Sequence, residues 1–164
     1  MDPQLTSLLI SEEDVRQVES SLERLVGDTG ANYSMLLDKS GQVIASRGDT
    51  QRQDITALGA LLAGTFASSR EVARLLKEKD FRVLFQQGVK ENIFTELIDE
   101  QWMLVVMFDK RTHIGLVKVL AKRATDELST ILQQVRHQSR SRDAVISTSF
   151  RTSVEDTIDL LFRD

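Results

Sequence analysis

Trp102-Met-Leu-Val-Val-Met-Phe-Asp109 is apolar from Trp102 to Phe108, so neither of its faces belongs in water. A short, β-branched and aromatic run closed by an acidic residue predicts a strand buried on both sides, at the centre of a sheet. Upstream, Asn92 to Ile98 alternates apolar and polar residues, which predicts a strand with one buried face. Asp99-Glu100-Gln101 supplies the turn between the two. Arg82 to Gln87, ending at Gly88, completes a group of three strands.

Farther out, Asn32–Lys39 and Gln42–Arg47 flank Ser40-Gly41 and read as a hairpin. Three helices surround these strands. Ser11 to Asp28 carries Val15, Val18, Leu22, Leu25 and Val26 at helical spacing. Ser11 and Asp14 form a capping-box pair, Ile10 and Val15 a staple, and Gly27 and Gly30 are stop signals. Asp54 to Lys77 is a long helix with Asp54 as N-cap. Thr112 to about His137 is the last, with Val117, Leu120, Ala121, Ala124, Leu128, Ile131 and Val135 on one stripe. Short hairpin links favour an α+β fold with a five-stranded antiparallel sheet. The chain divides into a domain over 1–137, a polar linker rich in Arg and Ser over 138–152, and an amphipathic segment over 153–164.

The long helix is apolar on two sides. Leu58, Leu61, Leu62, Thr65, Phe66, Val72, Ala73 and Leu76 are assigned to the sheet. Ala60, Ala63, Gly64 and Ala67 form a small-residue stripe opposite, turning charged at Arg70, Glu71 and Arg74. A surface helix is normally charged there, and small residues let another backbone approach closely. The stripe meets a second protein, first of all another copy of this chain, or another part of its own domain, or it is plain helix surface where alanine merely favours the helix.

Composition narrows the function. The 164 residues are 41% hydrophobic and 28% charged with a net charge of −4, which argues against general nucleic-acid binding. There is no cysteine, so disulfides and thiolate chemistry are excluded. Met1 to Ser11 lacks the pattern of a signal peptide, and Trp102–Phe108 is far shorter than the ~20 residues of a membrane helix. A cytoplasmic protein with no membrane insertion is expected.

No catalytic constellation emerges. Gly59 to Gly64 approximates a P-loop spacing, but Thr65 stands where the phosphate-binding lysine belongs and the stretch lies inside a helix. His113 reads as a surface residue, and His137 at a helix end suits the helix dipole. No cofactor and no metal are expected. Two further features fit partner contacts. Lys118, Lys122 and Arg123 are either a solvated face or a contact for an acidic partner. Val154, Ile158, Leu161 and Phe162 line the tail segment, with Ser153 and Asp156 as its capping box. A segment this short is not stable alone and docks either on a partner or on its own domain.

Tyr33-Ser-Met-Leu-Leu-Asp-Lys-Ser-Gly-Gln-Val-Ile-Ala45, Leu58-Gly-Ala-Leu-Leu-Ala-Gly64, Leu104-Val-Val-Met-Phe-Asp109, Gly115-Leu-Val-Lys118 and Lys122-Arg-Ala124 with Glu127-Leu128, in that order, resemble the Roadblock/dynein light-chain family. Within it they resemble most its bacterial MglB branch, and Glu155-Asp-Thr-Ile-Asp-Leu-Leu-Phe162 resembles that branch's tail. The resemblance implies profilin-like layering: one long helix on one sheet face, two terminal helices on the other. It implies a homodimer formed through the long helix and a sheet edge. It also implies a partner, a small Ras-like GTPase of MglA type in its GTP-bound form, bound where the long helices pair. The expected activity is GTPase activation in cell polarity and gliding motility, concentrated at a cell pole, by rearranging the GTPase's own switch residues. An arginine finger from Arg47, Arg52, Arg70, Arg74 or Arg111 is the competing mechanism. A scaffold that leaves hydrolysis unchanged is the alternative function, and a small-molecule sensor a third.

Overall fold

The computed structural model describes residues 10–49 and 54–162, without the side chains of 142–144 and 146. Most of Met1 to Ser11, where no signal peptide is expected, and the candidate Arg52 lie outside the described residues. The order is α1 (Glu12–Thr29), β1 (Tyr33–Asp38), β2 (Val43–Gly48), α2 (Ile55–Leu75), β3 (Val83–Gln87), β4 (Glu91–Ile98), β5 (Trp102–Asp109) and α3 (Ile114–Leu161). All strand pairs are antiparallel, in the order β2-β1-β5-β4-β3. The apolar run that anchors the reading is the central strand, and Met103 to Phe108 are all buried.

Alternation along β5 and β1 divides two cores. Leu36, Leu104, Val106 and Phe108 face α1 and α3, meeting Val18, Leu22, Val117, Ala121 and Leu128. Tyr33, Met35, Leu37, Met103, Val105 and Met107 face α2, meeting Leu62, Ala63 and Phe66. One long helix on one sheet face and the terminal helices on the other is the expected layering. β4 departs from its one-sided expectation: residues 94 to 98 are all buried, because β4 lies inside the sheet with a core on each face.

Caps set the helix starts. Ser11 accepts from the Asp14 amide at 3.1 Å, Asp54 accepts from the Ala57 amide at 3.1 Å, and Gly30 closes α1 in the left-handed region at φ 73°. At the β1–β2 turn Asp38 Oδ1 accepts from the amides of Ser40 and Gln42. Gly41 there, at φ 90°, lies directly against α2: a Cβ on it would stand 2.6 Å from the Gly59 carbonyl oxygen, and one on Gly59 2.5 Å from that of Gly41. The turn and helix therefore touch backbone to backbone. Gly59→Ala is expected to lower Tm: overpacking costs about 1–3 kcal/mol, and a backbone obstacle cannot swing aside. That outweighs the ~1 kcal/mol alanine brings to a helix. Gly64, with nothing within 4 Å of such a Cβ, is the control, and Gly64→Ala is expected to raise Tm.

The reading of the C-terminal third is corrected. α3 continues unbroken through 138–152, where a linker was expected, and ends at Leu161. No glycine or proline follows Gly115, so polarity alone suggested a break, and arginine, glutamine and serine are tolerated in helices. The Ser153/Asp156 pair starts no helix. Ser153 lies in the interior, its carbonyl accepting from Thr157 Oγ1 at 2.8 Å.

Candidate partner-binding surface

The contact at Gly59 sets which side of α2 faces inward. Gly59, Leu62, Ala63, Phe66 and Ala73 are buried, with Arg70 turned toward the same side. The small residues allow α2 to sit close to the sheet, while Leu62 and Phe66 fill the space beside them. This corrects the two-faced reading at several positions. Ala63 belongs to the core at 7% exposure. Leu61, Val72 and Leu76, assigned to the sheet, are exposed, as is Thr65.

The outward side is still apolar. Ala57, Leu61, Gly64, Ser68, Val72 and Leu75 recur at spacings of four and three along one line of α2, with Leu61 70% and Leu75 85% exposed. Ala60, Ala67, Glu71 and Arg74 are exposed along one flank. The outward apolar line is therefore not the expected stripe of Ala60, Ala63, Gly64 and Ala67 but one through Leu61, Gly64 and Val72. β3 is an edge strand with exposed Val83 and Phe85, an apolar edge of the kind that pairs with another strand. Phe85 stacks on Phe108 at a centroid distance of 6.1 Å.

Lys118, Lys122 and Arg123 are exposed on α3. They lie on the opposite layer from α2, so the structure does not join them to the α2 face. Lys122 pairs with Asp126 at 3.1 Å. Beneath this pair Glu96 of β4 is 5% exposed. Burial pushes its carboxyl above the ordinary range, against the pull of Lys122 and Arg82. A carboxylate whose folded pKa is raised favours the native state at low pH, and that contribution is lost as pH climbs through the folded value. Glu96→Gln is therefore expected to raise Tm at neutral pH, with the gain shrinking on acidification into the usual glutamate range. Thermal melts across pH check this, and a constant difference would refute it.

The candidate arginines differ in freedom. Arg47 binds Glu19 at 2.6 Å. Arg70 donates to the Glu100 carbonyl at 3.2 Å and lies 3.5 Å from Asp80, an ion-pair distance without a hydrogen bond. Arg111 grips Asp109 with Nε and Nη2, the shortest contact being 2.7 Å, and holds that carboxyl well below the usual range. Arg74 has the i,i+3 partner Glu71 at 3.2 Å and is 77% exposed. The tail residues Val154, Ile158, Leu161 and Phe162 are exposed on the distal part of α3, so docking on their own domain is not what the structure places there. His113 is the N-cap of α3 without a side-chain hydrogen bond, and His137 is exposed. Among the described residues no helix is long and apolar enough to cross a membrane.

Comparison with known proteins gives the same layering. Residues 17–108 match the family model of the Roadblock/LC7 domain. The structure of Myxococcus xanthus MglB is 37% identical, with a TM-score of 0.73 over 76% of this chain and 94% of that one. The gliding protein MglB of Thermus thermophilus is 28% identical, with a TM-score of 0.72 and the same coverage of 76% and 94%. An uncharacterised protein of Methanocaldococcus jannaschii is 26% identical over 121 residues, 70% of this chain and 98% of its own length.

Proposed function

The chain belongs to the Roadblock/LC7 family, and from that premise we propose that it is a homodimeric GTPase-activating protein for a small Ras-like GTPase of MglA type. It acts as a regulator, and the hydrolytic chemistry belongs to the partner. The observation that carries the reading is the outward face of α2, where Leu61, Val72 and Leu75 stand in water beside Gly64. An exposed apolar line on a well-packed domain marks a protein contact. Paired across a twofold axis, two α2 helices and two β3 edges form one surface for the GTPase. Ala60, Ala67, Glu71 and Arg74 border it, and Lys118, Lys122 and Arg123 offer a second contact on the other layer. The likeness to MglB of Myxococcus and to a gliding protein of Thermus supports a role in polarity and motility.

Single-turnover hydrolysis by the GTP-loaded GTPase, with and without the chain, tests the proposal. Acceleration by substoichiometric dimer is expected. Binding without any change in rate would make this a scaffold instead.

A further inference from the structure

The terminal-helix side of the sheet is not fully covered. α1 packs on β1 and β2, and α3 on β4 and β5, and among the described residues neither packs along the edge strand β3. Val83 and Phe85 pair in register with Glu96 and Phe94. Phe94 lies in the core beneath α1 and α3, so both side chains point to that side of the sheet. They are 42% and 37% exposed, whereas Leu84 between them packs against the α2 core. An apolar strip therefore runs along β3 beside α3.

The wall beside this strip is basic. On α3, Glu127 binds Ser21 and Arg24 of α1, and Lys118 lies half a turn round the same helix from it. Lys118 therefore faces away from α1 and toward β3. Lys122, one turn farther along, acts on Glu96 of β4 together with Arg82, and Glu96 is the register neighbour of Val83. Arg82, Lys118 and Lys122 are exposed. The acids beside them are Asp126, paired with Lys122 at 3.1 Å, and the buried Glu96.

We infer that this strip is the seat of an acidic amphipathic helix of another protein, one helix for each dimer. The inference rests on the homodimer proposed above and gives the contact on the α3 layer its partner. A twofold axis normal to the sheet, which the pairing of both α2 helices and both β3 edges requires, sets the two β3 strands side by side and antiparallel. The face opposite α2 then carries Val83 and Phe85 twice along its middle, between two α3 helices. Each terminal helix covers two strands, and the uncovered width is again two, β3 and its copy. Two strands span about 9.5 Å, and packed helices lie about 8–10 Å apart, so the gap has the width of one helix. A helix seated there needs an apolar underside for Val83 and Phe85. It needs carboxylates on both flanks for the lysines at 118 and 122 of each copy.

The probe is a synthetic helix of leucine, alanine and glutamate, about 18 residues long, with leucines at spacings of three and four. It is fluorescein-labelled and carries a photoreactive benzophenone at a central leucine position. A matched peptide has lysine in place of each glutamate. Sedimentation velocity reads the state of the full chain, and fluorescence anisotropy reads peptide binding. The expected result is one acidic peptide per dimer, with the basic peptide at least about 10-fold weaker. Mass spectrometry is expected to place the photolabel on 82–85 or 118–122. Lys118→Glu with Lys122→Glu should reverse the preference between the peptides. Lys118→Gln with Lys122→Gln, which adds no carboxylate beside Asp126, should erase it, and thermal melts verify that each variant is folded. A dimer that binds neither peptide, or both alike, would overturn the inference and leave the homodimer standing. So would two peptides per dimer, or a photolabel on α2. A chain that sediments as a monomer would remove the homodimer itself, and the helix-wide gap with it.

Discussion

Leu61→Glu combined with Val72→Glu is expected to give a folded monomer. The side chains are 70% and 49% exposed, so the domain loses little packing, and glutamate suits a helix about as well as leucine. Between two α2 helices the outcome differs. Each copy loses two apolar anchors, each worth about 1.5–3 kcal/mol when buried, and carboxylates without partners enter the contact at a further cost of several kcal/mol. Twofold symmetry presents every change twice. The dimer dissociation constant should rise by at least about 1,000-fold, and GTPase binding should fall with it. Sedimentation velocity reads the first effect and titration with GTP-loaded partner the second. Thermal melting should show an intact domain. A dimer that survives but no longer binds the GTPase would assign the face to the partner, and a variant unchanged in both respects would remove α2 from either contact. Arginine at Ala63, which the small-residue stripe first suggests, would answer a different question. Ala63 is 7% exposed, and a buried guanidinium there would unfold the domain.

That substitution marks where the sequence stopped being sufficient. Strand positions were legible because their signals are local: the run at Trp102–Phe108, the turn at Ser40-Gly41, the change of period on entering Asp54–Lys77. The two apolar sides of α2 were legible too, as a departure from the usual polar face. Which side turns inward was not, because it depends on Gly41 meeting Gly59, a contact between residues 18 positions apart in the chain. Without that contact, size alone places the large side chains inward and the small ones outward. The packed side instead alternates Gly59, Ala63 and Ala73 with Leu62 and Phe66. The tail failed differently. Its polar stretch reads as a linker, although 116–164 contains no glycine or proline. The buried Glu96 had no sequence signal beyond a charge in a strand, since its burial comes from the helix above it.

Saturating amounts of the chain are expected to raise single-turnover GTP hydrolysis by its small Ras-like partner by orders of magnitude, and the gain should survive alanine at each of Arg47, Arg52, Arg70, Arg74 and Arg111. An arginine inserted by an activator is worth about 10³ to 10⁵ in rate, so a finger cannot hide in such a scan. Three candidates are already engaged. Arg47 is held by Glu19, Arg70 by Asp80 and the Glu100 carbonyl, and Arg111 by Asp109. Exposed ion pairs are individually weak, at about 0–1 kcal/mol, so engagement alone does not prevent release. Arg47 and Arg70 are in addition partly buried, whereas the Arg111 side chain is 81% exposed beside its Asp109 partner. Arg74 is the candidate on the flank of the proposed α2 surface, paired with its helix neighbour Glu71. Its removal tests the candidate nearest the proposed surface. With binding saturated, a rate within about 10-fold of the natural chain is far below a finger's contribution and favours rearrangement of the GTPase's own residues. A collapse of about 1,000-fold or more at unchanged affinity would identify Arg74 as the finger, presented by the same helix face that the glutamate substitutions are designed to break.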